Sequence, residues 1–301
     1  MKASRRMLFL FLAPALLTYV FIYVYPTLQT IYFSFHRVTA FAGGEIEFRG
    51  LRNYVELVRN PLFQEPFVII LKWWFFGGAA LFGGAFFFTV LFMTGVRYKG
   101  FWRAVLYGPN LINVVAMTTM WSQYIYSARY GLLKTFFEAV GLHSLASIQW
   151  TSMEMLFRSV LIAYVWGSVG YFFVFVMSGV ERIPTDLYEA ARIDGANTLQ
   201  AFFRITLPLL RDVLRVATVM WSITAINMFA FPKTFTPVAM PRQTTTPAIY
   251  LYQLAFGTTT EGTGEFALGK AAAGCCLLLL LVIVVAAVIG QLLKERREVE
   301  Y

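Results

Sequence analysis

The chain has 301 residues, of which 58% are hydrophobic, 18% aromatic and 14% charged. Soluble domains contain about 45–50% apolar and about 25% charged residues, so this composition argues against a soluble globular protein. The abundance of aromatic residues also excludes a disordered chain. Because the apolar residues gather in long blocks without charge, the sequence predicts an all-α protein that crosses a membrane several times.

Charge and cysteine content give no indication of nucleic-acid or metal binding. The net charge is +9, but Lys and Arg concentrate in the segments between the apolar blocks, so no nucleic acid is needed to explain it. Cys275 and Cys276 are adjacent inside an apolar block and lack the spacing of metal ligands. We therefore predict no metal site and no catalytic residue in this chain.

In chain order, six charge-free blocks of about 17 residues or more can each cross ~30 Å of hydrocarbon as a helix. The predicted spans cover about residues 8–35, 73–96, 104–128, 159–180, 213–232 and 271–293. With the N-terminus in the cytoplasm, the cytoplasmic segments hold more than half of the 25 Lys and Arg residues, although the outside segments are longer. The sequence thus predicts one transmembrane domain, residues 1–301, with both termini inside.

The middle of every predicted span is free of Asp, Glu, Lys, Arg and His. Ion-driven carriers commonly place such a group at the midplane, so the energy source is expected outside this chain. A membrane-embedded transferase is disfavoured for the same reason, since it needs acid, base or metal ligands. The sequence contains no GxxxxGK[ST] motif, so ATP hydrolysis is not expected here.

The cytoplasmic segment 183–208 predicts a helix–turn–helix. Asp186 is a plausible N-cap with Glu189 three residues on, and Gly195 suits the left-handed turn that ends a helix. Asn197 or Thr198 can cap a second helix, which Leu207-Pro208 would end. Two roles are open: a connector that lies on lipid headgroups, or a helix that docks into a groove of a soluble partner.

Three motifs in this segment resemble the EAA loop of permease subunits of bacterial ABC importers: Glu189-Ala190-Ala191, Asp194-Gly195-Ala196 and Ile205-Thr206-Leu207-Pro208. The resemblance implies the type I ABC importer permease fold, with 183–208 as a coupling loop that docks into a cleft of the cytoplasmic ATPase. It implies that Glu189 faces a basic residue of the ATPase and that Gly195 makes the turn. The coupling residues it implies are Asp186, Glu189, Ala190, Ala191, Asp194 and Gly195.

Further motifs resemble carbohydrate-uptake permeases of the maltose type, in particular the larger permease of that importer. They include Ala13-Pro14-Ala15-Leu16-Leu17, Gly50-Leu51-Arg52-Asn53-Tyr54, Asn60-Pro61-Leu62-Phe63 and Thr244-Thr245-Thr246-Pro247. This likeness implies a heterodimer with a second permease, two cytoplasmic ATPase subunits that bind ATP and Mg, and an extracytoplasmic solute-binding protein. It also implies a multi-pass protein of the bacterial cytoplasmic (inner) membrane, surrounded by lipid.

Two segments depart from the pattern of that family. Members often have an Asn-Thr pair entering the second span, where this chain has Lys72-Trp73-Trp74. The usual Gly-Gly-Pro after the fifth span is replaced by Val238-Ala239-Met240-Pro241. Both lie near the predicted external face, so they affect the expected solute class and the contacts with a binding protein.

Candidate solute-binding residues lie on the fourth and fifth spans. Sugars are typically held by aromatic faces together with hydroxyl and amide partners. The helical spacing and the resemblance give Tyr164, Ser168, Tyr171, Trp221, Thr224, Asn227 and Met228. The alternative is that these residues pack one helix against another.

The sequence therefore predicts a permease subunit of an ATP-driven, binding-protein-dependent importer for a mono- or oligosaccharide. A polyol or a glycerol phosphate ester is the alternative solute class for the same machine. An ion-coupled secondary carrier is a less favoured class, because the spans carry no ionisable group at their centres.

Overall fold

A computed structural model describes residues 5–38, 46–236, 241–257 and 267–292. Most of these residues are helical, and four helices are long and apolar enough to cross a membrane. Within the described residues these helices are Leu10–Ser34, Pro61–Met93, Leu156–Val180 and Leu268–Leu292. They overlap the first, second, fourth and sixth predicted spans, and the second of them begins twelve residues before the predicted start at residue 73.

The helices and strands are numbered here in chain order. The α-helices of the described residues are α1 Arg5–Tyr19, α2 Tyr25–Ser34, α3 Arg52–Arg59, α4 Pro61–Lys72, α5 Gly78–Met93, α6 Lys99–Tyr107, α7 Val114–Thr119, α8 Leu132–Ala139, α9 His143–Ala146, α10 Leu156–Val180, α11 Thr185–Ile193, α12 Thr198–Ala201, α13 Leu207–Leu209, α14 Arg211–Ile226, α15 Ala230–Phe235, α16 Pro247–Phe256 and α17 Leu268–Leu292. Strands β1 (His36–Val38) and β2 (Ile46–Phe48) form an antiparallel pair in which His36 lies opposite Phe48.

Several of these helices are joined by single wider turns rather than by loops. The π-helical segments Val20–Val24, Trp73–Gly77 and Phe202–Thr206 connect α1 to α2, α4 to α5 and α12 to α13. Such turns insert an extra residue into the helical ladder and change the direction of the face that follows. The first span therefore continues through Pro26, because Pro at the start of α2 needs no N–H partner there.

The third and fifth predicted spans are each built from shorter helices instead of one continuous helix. In the third, α6 leads into a 3₁₀ turn, Gly108–Leu111, and α7 begins after Asn113, whose side chain accepts from the Val115 N–H at 2.9 Å. Pro109 has no N–H to continue the α-helical ladder, which accounts for the break. In the fifth, α14 ends at Ile226 with Asn227 as its C-cap, and α15 begins at Ala230. The total of six spans remains a prediction.

One compact unit comprises Met1–Gln64 and Ala248–Leu281. Its centre is Asn53, whose side-chain amide donates to the carbonyl oxygens of Ser34 and His36, both at 2.9 Å. Gly269 lies against the His36 carbonyl so closely that a Cβ would overlap it. These contacts fix α3 and the start of α17 against the end of α2.

The second compact unit comprises Glu65–Pro247 and Val282–Tyr301. Its core is formed by α5, α10 and α14, with aromatic contacts such as Phe92 on Phe173, whose ring centroids are 4.7 Å apart. Small residues allow close approach of helices in a membrane, where the hydrophobic effect does not hold them together. At Gly170, α10 touches the main chain of α6, and at Gly179 it touches Leu210 and Val213.

Candidate functional site

Helix α11 forms the first half of the predicted coupling segment. Its N-cap is Pro184, with extended backbone (φ −56°, ψ 135°), so the helix begins at Thr185. The prediction that Asp186 caps this helix is therefore wrong: Asp186 lies in the first turn and no side chain caps the helix. The N-cap is Pro184, so the helix begins two residues earlier than predicted and the Asp186 carboxylate, inside the first turn, can interact with the helix dipole.

The turn after α11 has the left-handed geometry that the sequence predicts. Gly195 has φ +80°, and the N–H of Ala196 donates to the carbonyl of Ala191 at 2.9 Å. A Cβ on Gly195 would meet no atom within 4 Å, so the constraint at this position comes from the backbone rather than from space. The turn directs the chain back toward the membrane helices.

The second half of the segment is capped by Asn197. Its side chain accepts from the Gln200 N–H at 2.8 Å, and the Gln200 side chain accepts from the Asn197 N–H at 2.9 Å, which completes a capping box. The predicted end at Leu207-Pro208 is wrong by a short distance. The helix passes through the π-helical segment and Pro208 and ends at Leu209, one residue beyond the predicted end.

The two halves are tied together by a partly buried hydrogen bond, and their outer surface carries both charged and apolar side chains. The hydroxyls of Tyr188 and Thr206 are 2.9 Å apart. On the outer side Glu189 and Ala190 are exposed together with the apolar Leu187 and Ile193. Exposed apolar and small residues on a rigid helix favour docking with another protein.

A cavity of about 430 Å³ lies beside α11 within the second unit. Side chains of α6 and of the coupling segment line it, including Lys99, Tyr188, Glu189, Arg192 and Asn197. Its lining therefore includes one carboxylate, that of Glu189, and two cationic side chains, those of Lys99 and Arg192.

A second cavity, of about 290 Å³, lies where the third and fifth predicted spans are broken. Five predicted solute residues line it: Tyr164, Ser168, Thr224, Asn227 and Met228. In membrane proteins, non-helical backbone is tolerated where it lines a cavity. The two helix breaks therefore place polar backbone around this cavity.

The cavity also includes residues that the sequence analysis did not select. Pro109, Asn110 and Ile112 reach it from the turn between α6 and α7, and Met117 reaches it from α7. The signal that could have found them is Gly108-Pro109-Asn110, a breaker sequence in the middle of an apolar block.

Trp221 and Tyr171, two further predicted solute residues, lie elsewhere in the described part of the chain. Trp221 is buried, and its indole N–H donates to the carbonyl of Trp74 at 2.9 Å. Its ring covers Gly77 and Gly78, where a Cβ would approach it to 2.7 Å. The Tyr171 hydroxyl points to Met220 Sδ at 3.8 Å. Both residues contact neighbouring helices and are absent from the cavity lining.

Of the two unusual aromatic residues that enter the second span, Trp73 is packed internally and Trp74 is partly exposed. Trp73 is fully buried, with its ring edge-to-face on Tyr164 at 5.6 Å between centroids. The Trp74 indole N–H donates to the hydroxyl of Ser222 at 2.8 Å. This departure from the family pattern therefore shapes the wall behind the smaller cavity. The other departure, at 238–240, lies outside the described residues.

A cavity at broken membrane helices is typical of membrane transport proteins. Here the exposed helical segment 183–208 also leads directly into α14, one of the helices that line the cavity. A family profile described as "Binding-protein-dependent transport system inner membrane component" matches residues 136–298. The match covers more than half of the chain, and the chain belongs to this family.

Known proteins similar to this chain agree with that assignment. It is 31% identical over 82% of its length to the probable ABC transporter permease protein YurN of Bacillus subtilis (strain 168), covering 85% of that protein. It is 27% identical over 73% of its length to the trehalose/maltose transport system permease protein MalF of Thermococcus litoralis, covering 74% of that protein.

The fold is similar to a chain in the crystal structure of a bacterial alginate ABC transporter in complex with an alginate pentasaccharide-bound periplasmic protein. The TM-score is 0.77 at 17% identity, over 95% of this chain and 93% of that chain. The protein therefore has the fold of an ABC importer permease. Its apolar helices and its family make it a multi-pass membrane protein.

Proposed function

We propose that this chain forms, with a second permease, the pathway by which a sugar crosses the bacterial inner membrane. The observation that supports this most directly is the position of the coupling segment. It is inserted between α10, which carries Tyr164 and Ser168, and α14, which carries Thr224. Any movement imposed on the segment therefore reaches both helices that line the smaller cavity.

The proposed machine has two cytoplasmic ATPase subunits and an extracytoplasmic solute-binding protein. ATP and Mg would bind to the ATPases, and this chain would supply the docking surface on α11 with Glu189 facing a basic residue. Closure of the ATPases would push on α11, move α10 and α14, and open the pathway outward to receive solute. Hydrolysis would reset the pathway. The proposal includes six spans, with both termini in the cytoplasm.

The chemistry of the smaller cavity favours an uncharged, hydroxyl-rich solute. Its described lining includes aromatic, hydroxyl and amide groups from Tyr164, Ser168, Thr224 and Asn227, and it contains no Lys, Arg or His. A phosphate ester needs cations or several N–H donors at its binding site, so the described lining favours a sugar over a glycerol phosphate ester. The volume of about 290 Å³ lies near the lower end for small-molecule sites.

The test is uptake by the chain purified with its co-purifying subunits and reconstituted into vesicles. Uptake is expected to require ATP and the binding protein and to continue after ion gradients are collapsed. Recovery of the chain without an ATPase, in a form that moves solute down an ion gradient, would refute the proposal and favour a secondary carrier.

Variants of the coupling segment give a sharper test. Glu189→Lys reverses the exposed charge on α11, and Gly195→Pro is incompatible with φ +80°. Both are expected to abolish uptake while the chain still inserts. Glu138→Lys makes the same charge change at an exposed position of α8 and should leave uptake near wild type. Normal uptake by Glu189→Lys would contradict the assignment of α11 to ATPase docking.

A further inference from the structure

Helix α3, in the first compact unit, has one buried face and one exposed apolar face. Asn53 and Leu57 are buried against the rest of the unit. Leu51, Val55 and Val58 are 64%, 45% and 50% exposed. Their spacing of four and three residues places them on one side of the helix. They form a continuous strip, which we call the α3 strip.

The hydrogen bonds of α3 fix the depth of this strip relative to the membrane. Besides the two bonds from Asn53, the Tyr54 hydroxyl donates to Ser34 Oγ at 2.7 Å. Ser34 is the last residue of the apolar helix Leu10–Ser34, and the apolar helix Pro61–Met93 begins two residues after α3 ends. The strip therefore lies at the level where the first membrane span meets water.

An ion pair fixes α3 to a third apolar helix at the same level. Lys270 Nζ lies 2.9 Å from Glu56 Oε2, and Lys270 is in the first turn of Leu268–Leu292. Lys270 and Arg52 both hydrogen-bond the Glu56 carboxylate and hold its pKa below the ordinary value. Because α3 is tied to the ends of the first and last of these apolar helices, it cannot rotate its apolar strip toward the unit interior.

Cations border the strip. Arg52 and Arg59 are exposed on one side of it. Over residues 46–60 with Lys270 there are four cations, Arg49, Arg52, Arg59 and Lys270, against the two carboxylates of Glu47 and Glu56. An apolar strip next to excess positive charge is the pattern of helices that lie in the surface of a bilayer containing anionic lipid.

We propose that α3 is an interfacial membrane helix. Its strip of Leu51, Val55 and Val58 lies at the boundary between acyl chains and headgroups, and Arg52 and Arg59 bind the phosphates of anionic phospholipids. The site sets the depth and orientation of the surrounding span ends in the bilayer. The proposal depends on membrane insertion alone and stands whether or not the chain transports a sugar.

Fluorescence quenching tests the position of the strip. In a Cys275→Ala, Cys276→Ser background, single Val55→Cys and Val58→Cys variants are labelled with the fluorophore NBD and reconstituted, with co-purifying subunits, into phosphatidylethanolamine/phosphatidylglycerol vesicles. Glu47→Cys is the matched control, since Glu47 is exposed but outside the strip. Lipids with a doxyl group near the headgroup are expected to quench the strip probes at least twofold more than the control, and aqueous iodide to quench them less.

Either of two results would overturn the proposal. Strong quenching of the strip probes by iodide, equal to that of the control, would place α3 in water. Protection from both iodide and doxyl lipid would show that a protein, either the second permease or the binding protein, covers the strip.

The lipid charge is tested separately with doxyl-labelled phosphatidylglycerol and phosphatidylcholine at equal mole fraction. The Val55→Cys probe is expected to be quenched more by phosphatidylglycerol, and the added double change Arg52→Gln, Arg59→Gln should remove that difference. Equal quenching by the two lipids with both arginines present would refute recognition of anionic headgroups.

Discussion

Helix α10 crosses α6 at Gly170. This crossing predicts that Gly170→Ala destabilises the protein much more than Gly83→Ala, although the chemical change is the same. A Cβ at Gly170 would overlap the Leu106 carbonyl oxygen, lie 2.5 Å from the Leu106 carbonyl carbon and lie 2.9 Å from the Tyr107 nitrogen. All three atoms belong to the main chain, so no side-chain rotation can relieve the overlap. Gly170→Ala must therefore move the two helices apart by more than an ångström.

The change in stability is the balance between a gain in helix propensity and a loss from overpacking. Alanine stabilises a helix interior by up to about 1 kcal/mol relative to glycine, whereas overpacking costs about 1–3 kcal/mol and occasionally more. Gly83→Ala is the matched control, because no atom lies within 4 Å of a Cβ there. Gly84→Ala is intermediate, since its Cβ would meet only the side chain of Val169, at 2.6 Å.

The assay is the apparent melting temperature of the purified chain in one detergent. We expect Gly83→Ala to be neutral or stabilising and Gly170→Ala to melt several degrees lower, because about 1 kcal/mol corresponds to about 2–4 °C in chains of 150–250 residues. Uptake should also fall for Gly170→Ala, since α6 and α10 lead into opposite walls of the smaller cavity. A melting temperature for Gly170→Ala at or above that of Gly83→Ala would refute the crossing described here.

Three further predictions concern the turn and two ion pairs. Gly195→Ala forces a side chain into a left-handed backbone, which costs about 1–2 kcal/mol. ATP-driven uptake should therefore drop several-fold, whereas Gly195→Asn should stay near wild type. Equal uptake by both variants would contradict the turn geometry. Arg103 pairs with Glu181 across α6 and the end of α10, and a double-mutant cycle of melting temperatures with Arg103→Met and Glu181→Gln should show a coupling below about 1 kcal/mol, because both side chains are partly exposed. Lys270 and Arg52 lower the pKa of Glu56, so the ionised carboxylate contributes stability above pH 4.5, and this contribution is lost as the pH falls through the lowered pKa. The stability difference between wild type and Glu56→Gln should therefore shrink over that range. A constant difference would show that the carboxylate charge is not responsible.

Structural features that depend on local chemistry could be predicted from the sequence. Four apolar blocks are long enough to be seen as spans in composition alone, and the described helices match them. Gly195 was identified as the turn and the cap was narrowed to Asn197 or Thr198, because few other residue types satisfy those backbone positions; the structure has Asn197 as the cap. The helix–turn–helix of segment 183–208 was predicted from its capping and turn residues, which are local properties as well.

Features that depend on the packing of one helix against another could not be predicted from the sequence. Tyr164 and Trp221 both look like solute-facing aromatic residues on a helical wheel, yet one lines the cavity and the other fills the space above Gly77 and Gly78. A helical wheel gives a residue's angle around its own helix but not which neighbour lies at that angle. The breaks at Pro109 and Asn227 were missed because hydropathy averaged over a block does not register one interrupted turn.

The contact between Trp74 and the fifth predicted span has a consequence for subunit engineering. The Trp74 carbonyl accepts from the Trp221 indole, and the Trp74 indole donates to Ser222. The two spans are therefore joined by Trp74 on one side and the adjacent Trp221 and Ser222 on the other, which are 147 and 148 residues away in the sequence. A chimera that replaces Lys72–Trp74 with the Asn-Thr pair of related permeases would remove the indole that donates to Ser222, whereas the main-chain carbonyl that accepts from Trp221 is present in any residue. Segments exchanged between relatives should therefore include both spans, even when only one of them is meant to change the solute.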